Sequence, residues 1–141
     1  MLSTSSPAGR PHAAGVLYDY VGDALYVNTL RSSRKALNMA ANPHVGVSVP
    51  VRRLPIGPPS TIQFQAAAEL LKLDSPEIEG LLANGRLKAL TGHGELELAD
   101  GCFARITMPR RVLTYGLGMS IRRLISDPLS AGGSSTLDPS L

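Results

Sequence analysis

Hydrophobic residues alternate with polar ones in several short runs bounded by glycine, proline and asparagine, and this pattern predicts a chain built mainly of β-strands. The predicted strands span residues 2–5, 12–20, 24–29, 44–49, 61–73 and 102–107, and residues 112–115 continue the last of them. The tight turn at residues 21–23 joins the strands on either side of it into an antiparallel hairpin. Six strands with short helices between them predict a closed or partly closed antiparallel barrel.

Helix signals occur in three places between or after these strands. The first helix is predicted to begin at Ser32 or Ser33, either of which can cap it, and to pack through its apolar face of Leu37, Ala40 and Ala41. The second begins in residues 74–77, where a capping residue precedes a proline and an acid. The third follows the glycine pair of residues 116–118.

Two segments are predicted to lie outside regular structure. Residues 50–60 contain four prolines and two arginines, which predicts a surface loop. Residues 128–141 are rich in glycine, serine and proline and are predicted to be a flexible C-terminal tail. One domain is therefore expected over residues 1–127, in keeping with the length of the chain.

The start of the first helix carries an unusual charge pattern. A helix N-terminus favours acids, because its free amides amount to about half a positive charge, yet Arg34 and Lys35 lie in the first turn. The hydroxyls of Thr29, Ser32 and Ser33 lie beside them in sequence. Cations, hydroxyls and unbonded amides together predict a phosphate-binding site. The alternative is that both cationic side chains simply extend into water.

Composition narrows the possible partners. The net charge is +3 and the pI near 9.4, but the basic residues occur as scattered pairs among few aromatic residues, so nucleic-acid binding is not expected.

Cys102 is the only cysteine, which excludes an intrachain disulfide. Neither a membrane span nor a signal peptide is recognisable, so a cytoplasmic location is the expectation. The three histidines, His12, His44 and His93, are far apart, and no metal site is predicted.

Two further features leave alternatives open. Gly15 removes a side chain from a strand, which indicates either a bulge or a flat group packed on the backbone. Gln63 and Gln65 could offer amide groups to a heterocycle inside the barrel, or they could face solvent. Periodicity does not decide between these. Neither the Gly-x-Ser-x-Gly elbow of hydrolases nor a dinucleotide fingerprint is present.

Taken in order, three stretches resemble the flavin-binding split β-barrel family typified by pyridoxamine 5'-phosphate oxidase. The first joins Leu2-Ser3-Thr4 to Gly9-Arg10-Pro11-His12 and is similar to the family's opening hairpin. The second runs from Leu25-Tyr26-Val27-Asn28-Thr29 to Ser33-Arg34-Lys35-Ala36, similar to its phosphate motif. The third, Asn42-Pro43-His44-Val45-Gly46-Val47-Ser48-Val49, is similar to the strand that follows that motif.

The resemblance implies a fold, a cofactor and a set of binding residues. The fold would be a six-stranded antiparallel split β-barrel of Greek-key type, as a homodimer with cofactor sites at the subunit interface. The cofactor would be FMN or the deazaflavin coenzyme F-420. The residues implied are Arg34 and Lys35 for the cofactor phosphate, Thr29 and Ser33 as further donors, Gly15, Val16 and Leu17 along the ring, and Gln63 from the fifth strand.

The function that the resemblance implies is hydride transfer between this cofactor and a small organic substrate, with no catalytic residue assigned. Residues 115–141 contain no match to the Arg-x-His substrate motif of the oxidase itself, so oxidation of pyridoxamine phosphate is not expected. Relatives usually have a helix before the first strand, whereas this sequence begins within that strand. The alternative function is a flavin- or ligand-binding carrier that does not catalyse a reaction.

Overall fold

The computed structural model of the chain describes residues 1–52 and 60–138. Nine strands occur in this part of the chain: β1 (Leu2–Ser5), β2 (Pro11–Ala14), β3 (Asp19–Val21), β4 (Ala24–Leu30), β5 (His44–Val51), β6 (Ser60–Lys72), β7 (Gly101–Thr107), β8 (Arg111–Tyr115) and β9 (Gly132–Thr136). The helices are α1 (Arg34–Ala41), α2 (Pro76–Ala83) and α3 (Ile121–Ser126), with 3-10 turns at Lys88–Leu90, Glu95–Glu97 and Pro128–Ala131. None of the described helices is long and apolar enough to span a membrane.

The strands form one antiparallel network in which β6 is shared by two sheets. The strand order is β2-β1-β5-β6-β7-β4-β3, and β8 pairs with β6 and β9. The first part of β6 pairs with β5 through Ala67, and its last part, from Ala68 to Lys72, pairs with β7. The prediction of a mainly β, antiparallel split barrel is confirmed.

The strand count is nine rather than six among the described residues, for three local reasons. Residues 15–18 divide the predicted strand 12–20 into β2 and β3. Residues 111–115 form a separate strand, β8, which pairs with β6 rather than continuing β7. The third reason is β9, in a segment without a predicted strand. The predicted hairpin is confirmed, since β3 pairs with β4 and Gly22 adopts a φ of 64° in the turn between them.

Apolar side chains are buried on both sides of β4. Leu25 and Val27 face the interior between the two sheets, where they join Leu2, Val45, Phe64 and Ile106. Ala24 and Tyr26 face the other way and pack with Ile78, Leu87 and Phe103 beneath α2. Because both faces are covered, the first four residues of β4 are all buried.

The packing face of α1 differs from the predicted one. Leu37 is 58% exposed, and Ala40 and Ala41 are also exposed. The buried residues are instead Ala36, Asn38 and Met39. Asn38 can be buried because its side-chain amide donates to the Thr4 hydroxyl at 3.0 Å. The prediction of this face was wrong because it counted apolar residues only, whereas a paired amide occupies part of the interface.

The C-terminal segment also differs from its prediction. The predicted tail, residues 128–141, contains a 3-10 turn and β9, which pairs with β8 from Gly132 to Thr136. All side chains of β9 are exposed, so backbone hydrogen bonds to β8 hold this strand rather than burial of apolar groups. Residues 139–141 and most of the predicted loop at 50–60 lie outside the described residues.

Candidate functional site

The short connection between β4 and α1 carries the predicted anion-binding residues. Ser33, one of the two serines predicted as alternative caps, is the N-cap of α1, and its side chain accepts a hydrogen bond from the Ala36 N–H at 3.3 Å. The hydroxyls of Ser33 and Thr29 lie 2.9 Å apart and share a hydrogen bond. We call Thr29, Ser33, Arg34 and Lys35 the phosphate cluster. The structure therefore joins the end of β4 to the first turn of α1 through two hydroxyls.

The electrostatics of the phosphate cluster favour an anion. The first turn of α1 contains no acid, and Arg34 is exposed while Lys35 is half-buried. Within residues 1–52 and 60–138, the ion pairs are formed by Arg105 and His93, so neither cation of the cluster has a carboxylate partner. Two cations therefore add to the positive end of the helix dipole without compensation from an acid in that turn. A bound phosphate would supply that compensation.

One acid contacts the same connection from the turn immediately before β7. The Asp100 carboxylate accepts a hydrogen bond from the Ser32 N–H at 3.0 Å, and its backbone carbonyl accepts one from the Arg31 N–H at 2.8 Å. Hydrogen bonds from Ser32, assisted by the charge of Arg31, lower the pKa of Asp100 below its ordinary value. Sequence reasoning missed Asp100, because an Asp-Gly pair signals only a turn and the residue is far from Ser32 in sequence.

The three residues predicted to lie along the ring occupy the segment between β2 and β3. Gly15 is exposed, and an added Cβ would have no neighbour within 4 Å. Leu17 is 65% exposed. Val16 instead turns inward and lines a small interior cavity of about 20 Å³ with Leu25 and Val27 of β4. Side chains alternate along a strand, so Leu25, Val27 and Thr29 lie on one face of β4. Val16 therefore contacts the face of β4 that also carries Thr29.

Gln63 lies on the outer face of the barrel. Its side-chain amide donates to the Thr61 hydroxyl at 3.0 Å, and the neighbouring Phe64 points into the core. Gln63 and Gln65 both line an open groove of about 760 Å³ with Ser48 and Arg111. Both amides thus face outward rather than into the barrel. The described lining of this groove includes no member of the phosphate cluster.

A match to the sequence profile of a known family decides to which family the chain belongs. The profile described as pyridoxamine 5'-phosphate oxidase matches residues 1–105 of this chain. The chain belongs to the pyridoxamine 5'-phosphate oxidase family. The match runs from β1 into β7 and contains the phosphate cluster, Asp100, residues 15–17 and Gln63. No curated protein sequence is significantly similar to the chain.

Solved structures similar to this family member carry different names. The heme storage protein HutZ from Vibrio cholerae is 19% identical with a TM-score of 0.67, and the match covers 83% of this chain and 85% of that one. An F-420 reductase is 21% identical with a TM-score of 0.56, over 75% and 82% of the two chains. An FMN-binding protein from Nostoc punctiforme, related to pyridoxamine 5'-phosphate oxidase, is 16% identical with a TM-score of 0.57, over 98% and 85%. At these identities the likeness shows the fold.

Proposed function

We propose that this chain binds a flavin-type cofactor, FMN or the deazaflavin F-420, and uses it for hydride transfer with a small organic molecule. The observation that carries the proposal is the phosphate cluster, in which two cations adjoin a pair of hydrogen-bonded hydroxyls at a helix N-terminus and have no carboxylate partner among the described residues. Family membership supports it, as does the likeness to proteins named as FMN-binding and as an F-420 reductase.

The donors of the cluster suit a phosphate group. Arg34 and Lys35 can form charge-assisted hydrogen bonds, and a guanidinium can engage two phosphate oxygens at once. Thr29 and Ser33 bring hydroxyls that are already ordered by their 2.9 Å contact. When bound, the flavin or deazaflavin ring supplies the redox chemistry. The residues of the phosphate cluster would hold its phosphate and thereby orient the ring.

A homodimer and a cytoplasmic location form part of the proposal. Family membership supports the dimer, because the family resemblance implies cofactor sites at a subunit interface. Cys102 is a buried free thiol, which is compatible with a reducing compartment. Sedimentation equilibrium of the purified chain tests the dimer, and a monomer at micromolar concentration would contradict it.

The test of the phosphate cluster is a titration with FMN, F-420 and riboflavin. Arg34→Ala combined with Lys35→Ala should weaken the binding of FMN by about 1.5–3 kcal/mol for each lost charge-assisted contact. Riboflavin lacks the phosphate, so its binding should change little. The matched control is Arg122→Ala with Arg123→Ala on α3, which removes the same charge from exposed positions. If the wild-type chain binds none of the three ligands at micromolar concentration, the proposed function is wrong.

The second candidate is a carrier that binds its cofactor without turnover. It is favoured by the likeness to a protein named for heme storage, which has the highest TM-score of the three structures described above. A visible spectrum after addition of FMN or hemin shows which of the two ligands is bound, because flavin and heme absorb in different bands. Stopped-flow oxidation of the reduced flavin complex then distinguishes a carrier from an oxidoreductase. A carrier would retain the reduced cofactor in the presence of acceptors, whereas an oxidoreductase would transfer its hydride.

A further inference from the structure

We propose that Asp100 is a positioning residue for the phosphate cluster and that its charge also limits how tightly the cluster binds phosphate. The inference rests on the proposed function, because it concerns the same anion site. Asp100 lies outside the motifs that carry the family resemblance. It is identified by its contacts with the connection between β4 and α1.

Asp100 lies where the pairing of β4 with β7 ends. Strand β7 pairs with β4 up to Leu30 and Gly101, where the ladder ends. Asp100 extends this pairing by one residue, because its carbonyl and its carboxylate accept from the N–H groups of Arg31 and Ser32. The connection that leads to α1 is thereby fixed to β7 as well as to β4.

This fixed connection positions the start of α1. Ser32 immediately precedes Ser33, whose hydroxyl both caps α1 and meets the Thr29 hydroxyl. Without the Asp100 carboxylate, the amide of Ser32 would have to find another acceptor, while the amide of Arg31 would keep the backbone carbonyl of residue 100. The direction in which the chain enters α1 would then be less restricted. The Thr29–Ser33 contact and the placement of the two cations both depend on that direction.

Asp100 also acts on the phosphate cluster through its charge. The hydrogen bonds to Asp100 favour its ionised form, so it carries a negative charge at neutral pH. A negative charge beside the cluster opposes the binding of a phosphate dianion, whereas the two hydrogen bonds favour it through geometry. The two effects have opposite signs and can therefore be separated. Asp100→Asn retains an acceptor oxygen and removes the charge, and Asp100→Ala removes both.

The experiment measures Kd for FMN and for riboflavin in the wild type, Asp100→Asn and Asp100→Ala. We expect Asp100→Asn to bind FMN more tightly than the wild type, and Asp100→Ala to bind it about tenfold more weakly than Asp100→Asn. Riboflavin binding should be the same in all three. Asp74→Asn and Asp74→Ala are the matched controls, because Asp74 is an exposed acid in the turn before α2. Equal FMN affinity of the two Asp100 variants, or equal changes for riboflavin, would overturn the inference.

Hydrogen exchange at the Ser32 amide distinguishes failure of this inference from failure of the proposed function. The amide should be protected in the wild type and in Asp100→Asn, and it should exchange faster in Asp100→Ala. If the wild type binds none of FMN, F-420 and riboflavin at micromolar concentration, the proposed function fails, while this exchange pattern would still support the positioning contact. If the amide exchanges equally in the three proteins, Asp100 does not hold the connection, whatever the ligand. Asp100→Asn keeps the test informative should Asp100→Ala fail to fold, since weaker FMN binding by the Asn variant would contradict the charge effect.

Discussion

Replacement of Tyr26 by phenylalanine should make the stability of the protein less sensitive to alkaline pH. Tyr26 is 6% exposed on β4, and its hydroxyl donates to a carboxylate oxygen of Glu77 at 2.6 Å. The other oxygen of Glu77 accepts from Arg105 at 2.8 Å. Glu77 lies in the first turn of α2, so this hydrogen bond attaches α2 to the central strand.

The size of this pH effect on stability follows from the pKa of the Tyr26 hydroxyl. Burial, followed by the hydrogen bond to Glu77 and the charge of its carboxylate, raises this pKa from 10.0 to about 12. In the unfolded chain it returns to about 10, and each pKa unit corresponds to about 1.36 kcal/mol. Between pH 10 and 12 the unfolded state loses this proton while the folded state retains it. The contribution of Tyr26 is therefore complete below pH 10 and is lost as pH rises through this window, by roughly 2–3 kcal/mol in total.

The assay is urea denaturation of the wild type and of Tyr26→Phe at a series of pH values from 8 to about 12. At the lowest pH the variant should be less stable by about 1.5–3 kcal/mol, because it lacks a hydrogen bond to a charged group. As pH rises from 10 to 12, the difference in the free energy of unfolding between the wild type and Tyr26→Phe should decrease. Tyr20→Phe is the control, because Tyr20 is 53% exposed. Parallel stability curves for Tyr26→Phe and the wild type up to pH 12 would refute the reasoning.

Three further substitutions test the packing by thermal or urea denaturation. Asn38→Ala should destabilise the fold by about 1–3 kcal/mol because it leaves a buried hydroxyl without its donor, whereas Leu37→Ala should change stability by less than about 0.5 kcal/mol. Phe103→Ala should cost about 3–5 kcal/mol, since this side chain is 0% exposed, and a smaller loss would show that the surrounding core collapses into the space. Gly116→Ala should destabilise more than Gly118→Ala. Both glycines have positive φ, but only at Gly116 would the new Cβ lie 3.1 Å from other side-chain atoms, so equal losses would contradict the packing argument.

Local signals in the sequence were sufficient for much of the fold and for part of the site. The serine cap of α1, the proline start of α2 and the turn at Gly22 act between residues that are close in the chain, and all three are confirmed, with Ser33 rather than Ser32 as the cap. The phosphate cluster was predicted for the same reason, since its residues lie within one connection. Their role in binding remains a prediction.

Features that depend on distant residues could not be predicted. Asp100 contacts Ser32 across 68 residues of chain, and nothing at either position indicates the other. The burial of Asn38 depends on Thr4, which lies 34 residues earlier. Strand β9 is held by backbone hydrogen bonds to β8, which glycine and serine composition does not reveal. In each case a polar contact replaces the apolar pattern on which the sequence prediction depends.

The position of β4 in the sheet affects how the chain folds during synthesis. This apolar strand pairs on one edge with the three residues of β3, whereas its other edge pairs with β7 from Ala24 opposite Thr107 to Leu30 opposite Gly101. A ribosome completes β4 long before it reaches β7, and in that interval one edge of β4 is open to other chains. Pairing over such a separation is slow, because the intervening loop must close first. Nascent chains that end before residue 101 should therefore be the forms most prone to aggregation, and binding of a holdase chaperone to stalled chains of increasing length would reveal the point at which β7 closes that edge.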